Sequence, residues 1–445
     1  MNLDPNEAAV TNAARSMKLL NRDFFLLWQG QFISRLGTQV MIVALVFWIK
    51  RATGSATLMG VMQMIATLPA VLLGPVGGTF ADRYSRRSII ILSDILRGVA
   101  MLSLSALIFL RPGAVDLALA WLFAVLIVTA TITAFFEPAI SAAIPDLVPQ
   151  SRLARANSLG QLSFQLSVFI GQGIGGTLFR LLGAPALFLI NGLSYLVSAT
   201  SESFISIPQV VSDTSTSWKE EFACFKRETV KGFRHVWRTD GLREMVFVSV
   251  FLVFFTTPVI VLLPFYVEDF LGARADWYGF MLAAYGAGSL IGYLTAGTLR
   301  LSGRARGRWM IAFIILQAAG YGLLGLIRDP LTALAFALLG GATGGFVTVH
   351  ITTILQITTP AEMRGRVFGV LATISNSLAP VAMGLAGVVA DAVNQNIPLI
   401  YISCGAAMTL LTLLVSLSRQ FRDYLTRDHE AASPPGFQAS VIPPE

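Results

Sequence analysis

The chain is divided into long segments that contain no Asp, Glu, Lys or Arg, and their length constrains the fold more than any other feature. Such segments run over 36–49, 52–81, 117–136, 156–179, 181–201, 245–267, 277–299, 309–327, 330–361, 367–390 and 392–418. The first extends back to 24 when Arg35 is admitted, and 88–110 joins the set once Asp94 and Arg97 are admitted. A helix needs about 20 apolar residues to cross the hydrocarbon of a bilayer, and each segment reaches that with its flanks. Barrel strands would be about 10 residues long with alternating polarity, a pattern absent here. Helices of this length keep every backbone group paired in lipid. The sequence predicts an all-α membrane protein of twelve transmembrane helices.

Composition agrees. Only 13% of residues are charged, against about 25% in soluble domains, so a soluble multidomain enzyme, a disordered chain and a nucleic-acid-binding module are excluded as classes. Cys224 and Cys404 are too few for a disulfide scaffold and lack metal-ligand spacing. No cofactor or metal is expected, nor an enzymatic activity. The net charge of +7 is explained by where the 32 Lys and Arg fall. With the N-terminus inside, 24 occupy the inner loops and tails, six (Lys50, Arg51, Arg111, Arg180, Arg274, Arg328) the opposite side, and Arg35 and Arg97 lie within spans. That bias predicts both termini cytoplasmic in a multi-pass protein of the inner, or plasma, membrane. Residues 1–22 are polar and show no removable signal peptide.

The spans separate into six and six. Between them 208–243 carries seven basic and five acidic residues. Trp218, Phe222, Phe225, Phe233 and Trp237 recur there at helical spacing with lysines between them, as in a helix lying on the inner leaflet. The predicted organisation is a tail (1–22), a six-helix bundle (23–207), an amphipathic linker (208–243), a second six-helix bundle (244–418) and a C-terminal tail (419–445). The halves echo one another. Pro149-Gln-Ser-Arg152-Leu-Ala-Arg155 follows span four and Pro360-Ala-Glu-Met-Arg364-Gly-Arg366 follows span ten, while Gly78-Thr-Phe near the end of span two is matched by Gly297-Thr-Leu near the end of span eight.

With these features, Gly78-Thr-Phe-Ala-Asp82-Arg83-Tyr-Ser-Arg86-Arg87 resembles the loop 2–3 signature of the major facilitator superfamily. Phe25-x-x-Trp28-x-Gly30-Gln31-x-x-Ser34 and Glu137-Pro-Ala, continuing through Pro145-Asp-Leu-Val-Pro149 to Ala156-Asn157-Ser158, resemble its drug:proton antiporter branch, which includes macrolide-efflux and enterobactin-exporter-like proteins. The resemblance covers about residues 20 to 420. It implies two six-helix bundles that rock about a midplane site. It also implies a conformational latch in which Gly78, Asp82, Arg83, Arg86 and Arg87 hold the halves together at the inner rim while the cavity faces outward. Asp82 would meet the start of span eleven near Arg366–Gly369. Gly171, Gln172, Gly175 and Gly176 resemble the span-five antiporter motif, with Gln172 where that motif has proline; the family's use of it is close packing on a helix of the other half.

Ionisable residues inside spans default to function because they are costly in lipid. Arg35, Glu137 and His350 lie in spans one, four and ten, which the resemblance places around one central cavity, so the three are candidates for proton coupling. The alternatives stay open: Glu137 precedes Pro138 and could bond the freed backbone, Arg35 could pair with it structurally, and His350 could be a packing residue. Asp94 and Arg97 can neutralise one another, and Glu202 is expected to reach headgroups at the inner end of span six. Phe32, Phe135, Phe136 and Phe255 are candidate cavity lining. The expected activity is proton-coupled export of amphipathic small molecules by a monomer, its partners being cargo, protons and lipid. A dedicated siderophore exporter, a lysophospholipid transporter and a non-transporting sensor or scaffold are the rival readings.

Overall fold

A computed structural model describes residues 21–208, 218–299 and 301–426. Helices begin where a short polar side chain can accept from a free first-turn amide. Asn21 accepts from the Phe24 N–H to open α1 (Arg22–Thr53), Ser55 from the Leu58 N–H to open α2 (Ala56–Arg83), and Ser85 from the Ser88 N–H to open α3 (Arg86–Leu110). Helix α1 stops at Gly54, whose φ of 64° lies in the left-handed region that glycine tolerates. Helix α4 (Val115–Leu147) carries Pro138 and Pro145.

The next helix, α5 (Leu153–Glu202), has 50 residues and would be about 75 Å long if straight. It folds back at Gly183, which sits at φ 75° and ψ 168° with Pro185 just beyond. The first arm (153–182) runs beside α1 in the same direction, with Trp28 reaching the Leu159 carbonyl and Gly175 against Val43. The second arm (184–202) returns along α1, with Asn191 beside Thr38 and Glu202 beside Gln31.

The second half comprises α6 (Trp218–Arg238), α7 (Leu242–Val261), α8 (Asp276–Thr298), α9 (Gly303–Leu324), α10 (Pro330–Thr358), α11 (Ala361–Ala392), α12 (Ile397–Ser416) and α13 (Arg419–Leu425). Asp329 caps α10 by accepting from Thr332 N–H and Oγ1, both at 2.7 Å, and those bonds hold its carboxyl below the usual range. Between α7 and α8 a π-turn, Tyr266–Phe270, is anchored by the Tyr266 hydroxyl on the Leu324 and Ile327 carbonyls at 2.9 and 3.1 Å. Among the described residues there is no strand, and eleven helices are long and apolar enough to cross a membrane. Because α5 crosses twice, the chain makes the twelve passages expected.

Among the described residues the loops fall at two ends. The basic end carries Asn21, the 83–86 turn, Glu202 and α13; the distal end carries Gly54, Gly183, the π-turn and the 393–396 turn. The fully buried Phe47 of α1 stacks on Phe179 of α5 at 5.5 Å and meets Tyr278 of α8 edge-on at 5.4 Å, so the distal core is shared by both halves. In lipid, apolar burial alone does not drive helices together; close packing does. Glycines supply it here: a Cβ on Gly387 of α11 would lie 3.0 Å from the Thr57 Cα of α2.

At the basic end α6 lies on the start of α11, where a Cβ on Gly232 would fall 2.8 Å from the Arg366 carbonyl. Of the aromatic stripe expected on this helix, Phe233 and Trp237 are exposed and stacked at 5.6 Å; the side chains of Trp218, Phe222 and Phe225 lie outside the described residues. The C-terminal tail expected from 419 opens instead with α13, capped by Ser418 and anchored by buried Phe421, Tyr424 and Leu425. Its remainder, 427–445, and residues 1–20 lie outside the described residues.

Candidate functional site

The structure joins two of the three cavity candidates. Arg35 on α1 and Glu137 on α4 form an ion pair of 3.6 Å whose side chains are 24% and 53% exposed. Pro138 continues the helix after Glu137, and the guanidinium of Arg35 also lies 5.9 Å from the Phe164 ring of α5. A half-exposed carboxylate beside a cation is open to a proton or to a cationic group.

His350 does not join them. It is buried within α10, its ring stacked on Phe346 at 4.1 Å and its Nδ1 2.9 Å from the Phe346 carbonyl oxygen. Helix rotation explains the miss: depth along a span does not specify which way a side chain faces. Phe136 is another displaced candidate. It is 1% exposed and lies under the Arg97 guanidinium at 3.8 Å, inside the first bundle rather than on a cavity wall. Phe135 meets Phe80, Phe32 stacks on Trp28, and Phe255 belongs to an aromatic ladder with Phe251 and Phe254 on α7.

In the loop 2–3 motif Arg86 donates to Asp146 at the end of α4 at 2.5 Å and to Asp82 at 3.3 Å, and Arg87 donates to the Ser203 carbonyl. These contacts stay within the first half. Asp82 is 69% exposed, and among the described residues no atom from elsewhere in the fold lies within 4 Å of where a Cβ on Gly78 would sit; the same holds for Gly365 and Gly369 at the start of α11. In this conformation Asp82 is paired with Arg86.

The small residues of span five point two ways. Gly171 and Gly175 press on α1, where added Cβ atoms would come within 2.6 Å of Gln39 and 2.7 Å of Val43. Gln172 donates to Gln39 at 2.7 Å. Gly176 faces the other half, against the backbone of Ala275 and Asp276, and Gly279 of α8 packs reciprocally on Gln172 and Gly173.

Sequence reasoning missed the network that closes the distal end. Lys50 donates to Glu268 and Asp269 at 2.8 Å each, and Arg51 to Glu268 at 3.0 Å. Arg180 and Arg274 flank the buried Asp276 at 3.2 and 3.4 Å. Asp391 at the end of α11 accepts from the Ala56 and Thr57 amides and the Ser55 hydroxyl, capping α2 across the interface, while Gln395 donates to the Gly54 carbonyl at 2.6 Å. These bonds of Lys50, Arg51, Arg180, Asp391 and Gln395 join the two six-helix halves at this end. A signal existed: Lys50, Arg51, Arg180 and Arg274 are four of the six basic residues on the side that the topology rule disfavours.

Two further features were not anticipated. A pocket of about 370 Å³ between α7, α8, α10 and α11 is lined by Ser249, Tyr285, Ser289, Thr348 and Ser375 among others, with Gln317 of α9 at its back. Inside the first bundle, Asp94 and Arg97 pair as expected, but Glu202 is 1% exposed rather than reaching headgroups. Gln31 donates to one of its oxygens at 2.7 Å and Ser198 to the same oxygen at 3.3 Å.

The family model described as Major Facilitator Superfamily matches residues 27–383 and, overlapping, 247–439. The chain is 24% identical over 378 residues to macrolide efflux protein A of Streptococcus pyogenes, covering 84% of this chain and 90% of that one. It is 28% identical over 409 residues to the multidrug efflux pump Tap of Mycolicibacterium fortuitum, covering 90% and 95%. Among solved structures it is similar to a bacterial homologue of the iron transporter ferroportin in an inward-facing state (TM-score 0.68, 16% identity, 90% and 100% covered) and to the nucleoside transporter NupG (TM-score 0.68, 11% identity, 89% and 99% covered).

Proposed function

The chain belongs to the major facilitator superfamily, and from that premise we propose that it exports amphipathic small molecules, coupled to inward proton movement, by alternating access. The basic end is read as cytoplasmic, which makes the structure inward-facing in an inner, or plasma, membrane. The observation that carries the reading is the Arg35–Glu137 pair, its carboxyl half-exposed, in a molecule whose halves are joined by ion pairs at the distal end. Its relatives' names, a macrolide efflux protein and a multidrug efflux pump, support export. The hydroxyl-lined pocket and the Phe251–Phe255 ladder of α7 suit a cargo with both polar and apolar faces. The protein works as a monomer, each chain holding its own path.

One proton moving inward down 100 mV releases about 2.3 kcal/mol, and one pH unit adds about 1.4 kcal/mol. Exchange of one proton for one neutral cargo then sustains a gradient of roughly 10²–10³. The test is uptake of macrolides and lipophilic cations into inverted vesicles, with and without an acid interior, in wild type and Glu137→Gln. Wild-type uptake rises with the gradient and Glu137→Gln loses that rise. If the variant follows pH as steeply as wild type, Glu137 is not the carrier; if no cargo responds in wild type, proton-coupled export is wrong.

A further inference from the structure

We propose that Asp94 and Glu202 form an enclosed proton-binding site inside the first bundle, one proton shared between the two carboxyls, and that its loss and return set the pH response of transport. The second clause rests on the proton-coupled reading above; the first does not.

The argument is a count of charge and of hydrogen-bonding atoms. Asp94 of α3 is 0% exposed and Glu202 of α5 is 1% exposed. Among the described residues, the charged groups facing them are each other and Arg97, from α3 and α5; α1 contributes the neutral Gln31, α5 also Ser198 and Tyr195, and α4 the Phe136 ring beside Arg97. Arg97 is held over the Phe136 ring at 3.8 Å and the Tyr195 ring at 4.7 Å and donates to Asp94 Oδ1. Two ionised carboxylates with one guanidinium would leave a net negative charge in a closed, low-dielectric space, which costs several kcal/mol.

The atoms point the same way. One oxygen of each carboxyl is satisfied: Asp94 Oδ1 by Arg97, Glu202 Oε1 by Gln31 and Ser198. The other two, Asp94 Oδ2 and Glu202 Oε2, are buried with no donor, and Arg97 Nε is buried with no acceptor; Arg97 and Ser198 hold the satisfied oxygens of the same cluster. Buried polar atoms without a partner are rare. One proton between these oxygens supplies the donor that both lack and brings the cluster to zero net charge.

When that proton leaves, the cluster changes from zero to one negative charge and the O–H···O bond between α3 and α5 is lost. Gln31, which binds Glu202, is one helical turn before Arg35 on α1. The site is thereby tied to the helix that carries the cavity's cation. Glu202 is the last residue of its helix at the basic end, with exposed Phe204 two residues on, so the proton exchanges toward that side.

The test uses the purified full chain in liposomes at neutral pH. Infrared difference spectroscopy on an alkaline pH jump should show loss of a protonated-carboxyl band in wild type and in Glu137→Gln, and no such band in Glu202→Gln or Asp94→Asn. Both variants keep the shape of the side chain, and the wild-type band together with its Glu137→Gln control decides the matter should either fail to fold. Absence of the band in wild type, its survival in either cluster variant, or its loss in Glu137→Gln overturns the site. In inverted vesicles, a response of about tenfold per pH unit for one coupled proton should fall below about twofold in Glu202→Gln. Should Glu202→Gln lose the band yet keep that response, the coupling role is overturned. Wild-type flux indifferent to pH with the band intact sinks the proton-coupled reading and leaves the site; the reverse pattern sinks the site alone.

Discussion

The two ends of this molecule are built from similar residues and behave differently. At the distal end, basic and acidic side chains reach between the halves and glycines press helix backbones together: Lys50 on Glu268, Arg180 on Asp276, Gly176 on Ala275. At the basic end, Arg86 and Arg87 bond within their own half, and the glycines at 78, 365 and 369 face open space. What separates the ends is less the number of charges than the partners named for them. The helix pair α2 and α11 displays the contrast most directly, because each has an aspartate as its penultimate residue. Asp391 is engaged on the first amides of α2, while Asp82 is 69% exposed and paired with Arg86.

The comparison can be broken from the closed side first. Lys50→Glu places a third acid beside Glu268 and Asp269 where a buried cation now neutralises them. Losing one partner of a buried pair costs about 3–5 kcal/mol, so spin labels on the 111–114 and 393–396 turns should move apart and the closed population should collapse. If the distance distribution is unchanged, the ion pairs do not hold this end. A smaller effect is expected from Asp391→Asn, which keeps an acceptor for α2 but loses charge at a helix N-terminus, worth about 0.3–1 kcal/mol. The same labels should report a partial shift toward the open distal state.

The smallest effect on the present conformation belongs to Asp82→Asn. Its pair with Arg86 is an exposed contact across the 83–86 turn, worth about 0.2–1 kcal/mol. Melting in detergent should therefore move by little, and the labels should show no loss of the closed distal population. A large drop in melting temperature would mean that Asp82 already holds the halves together here.

The passage count was legible because charged residues interrupt apolar runs wherever the chain leaves the lipid, and Arg180 marked the break between two spans even though α5 is continuous but for Gly183. The Asp94–Arg97 pair was legible because three residues is a fixed helical spacing. What escaped is what depends on rotation and on distant partners. Glu202 was misjudged because its distance from the end of a span is the same whether it faces headgroups or Gln31. The Lys50 contacts join residues 218 and 219 positions apart, and nothing local in the chain announces them. The Arg35–Glu137 pair could be suggested from depth alone, whereas the enclosed Phe136 next to that same glutamate could not.

The reversal at Gly183 has a geometric consequence. One limb of α5 clasps the opposite half through Gly176 and Arg180; the other, joined to it across a single non-helical residue, terminates in the carboxyl beside Asp94. Both limbs lie along α1, so the Arg180–Asp276 contact and the buried Glu202 stand at opposite ends of one hairpin that leans on a shared neighbour.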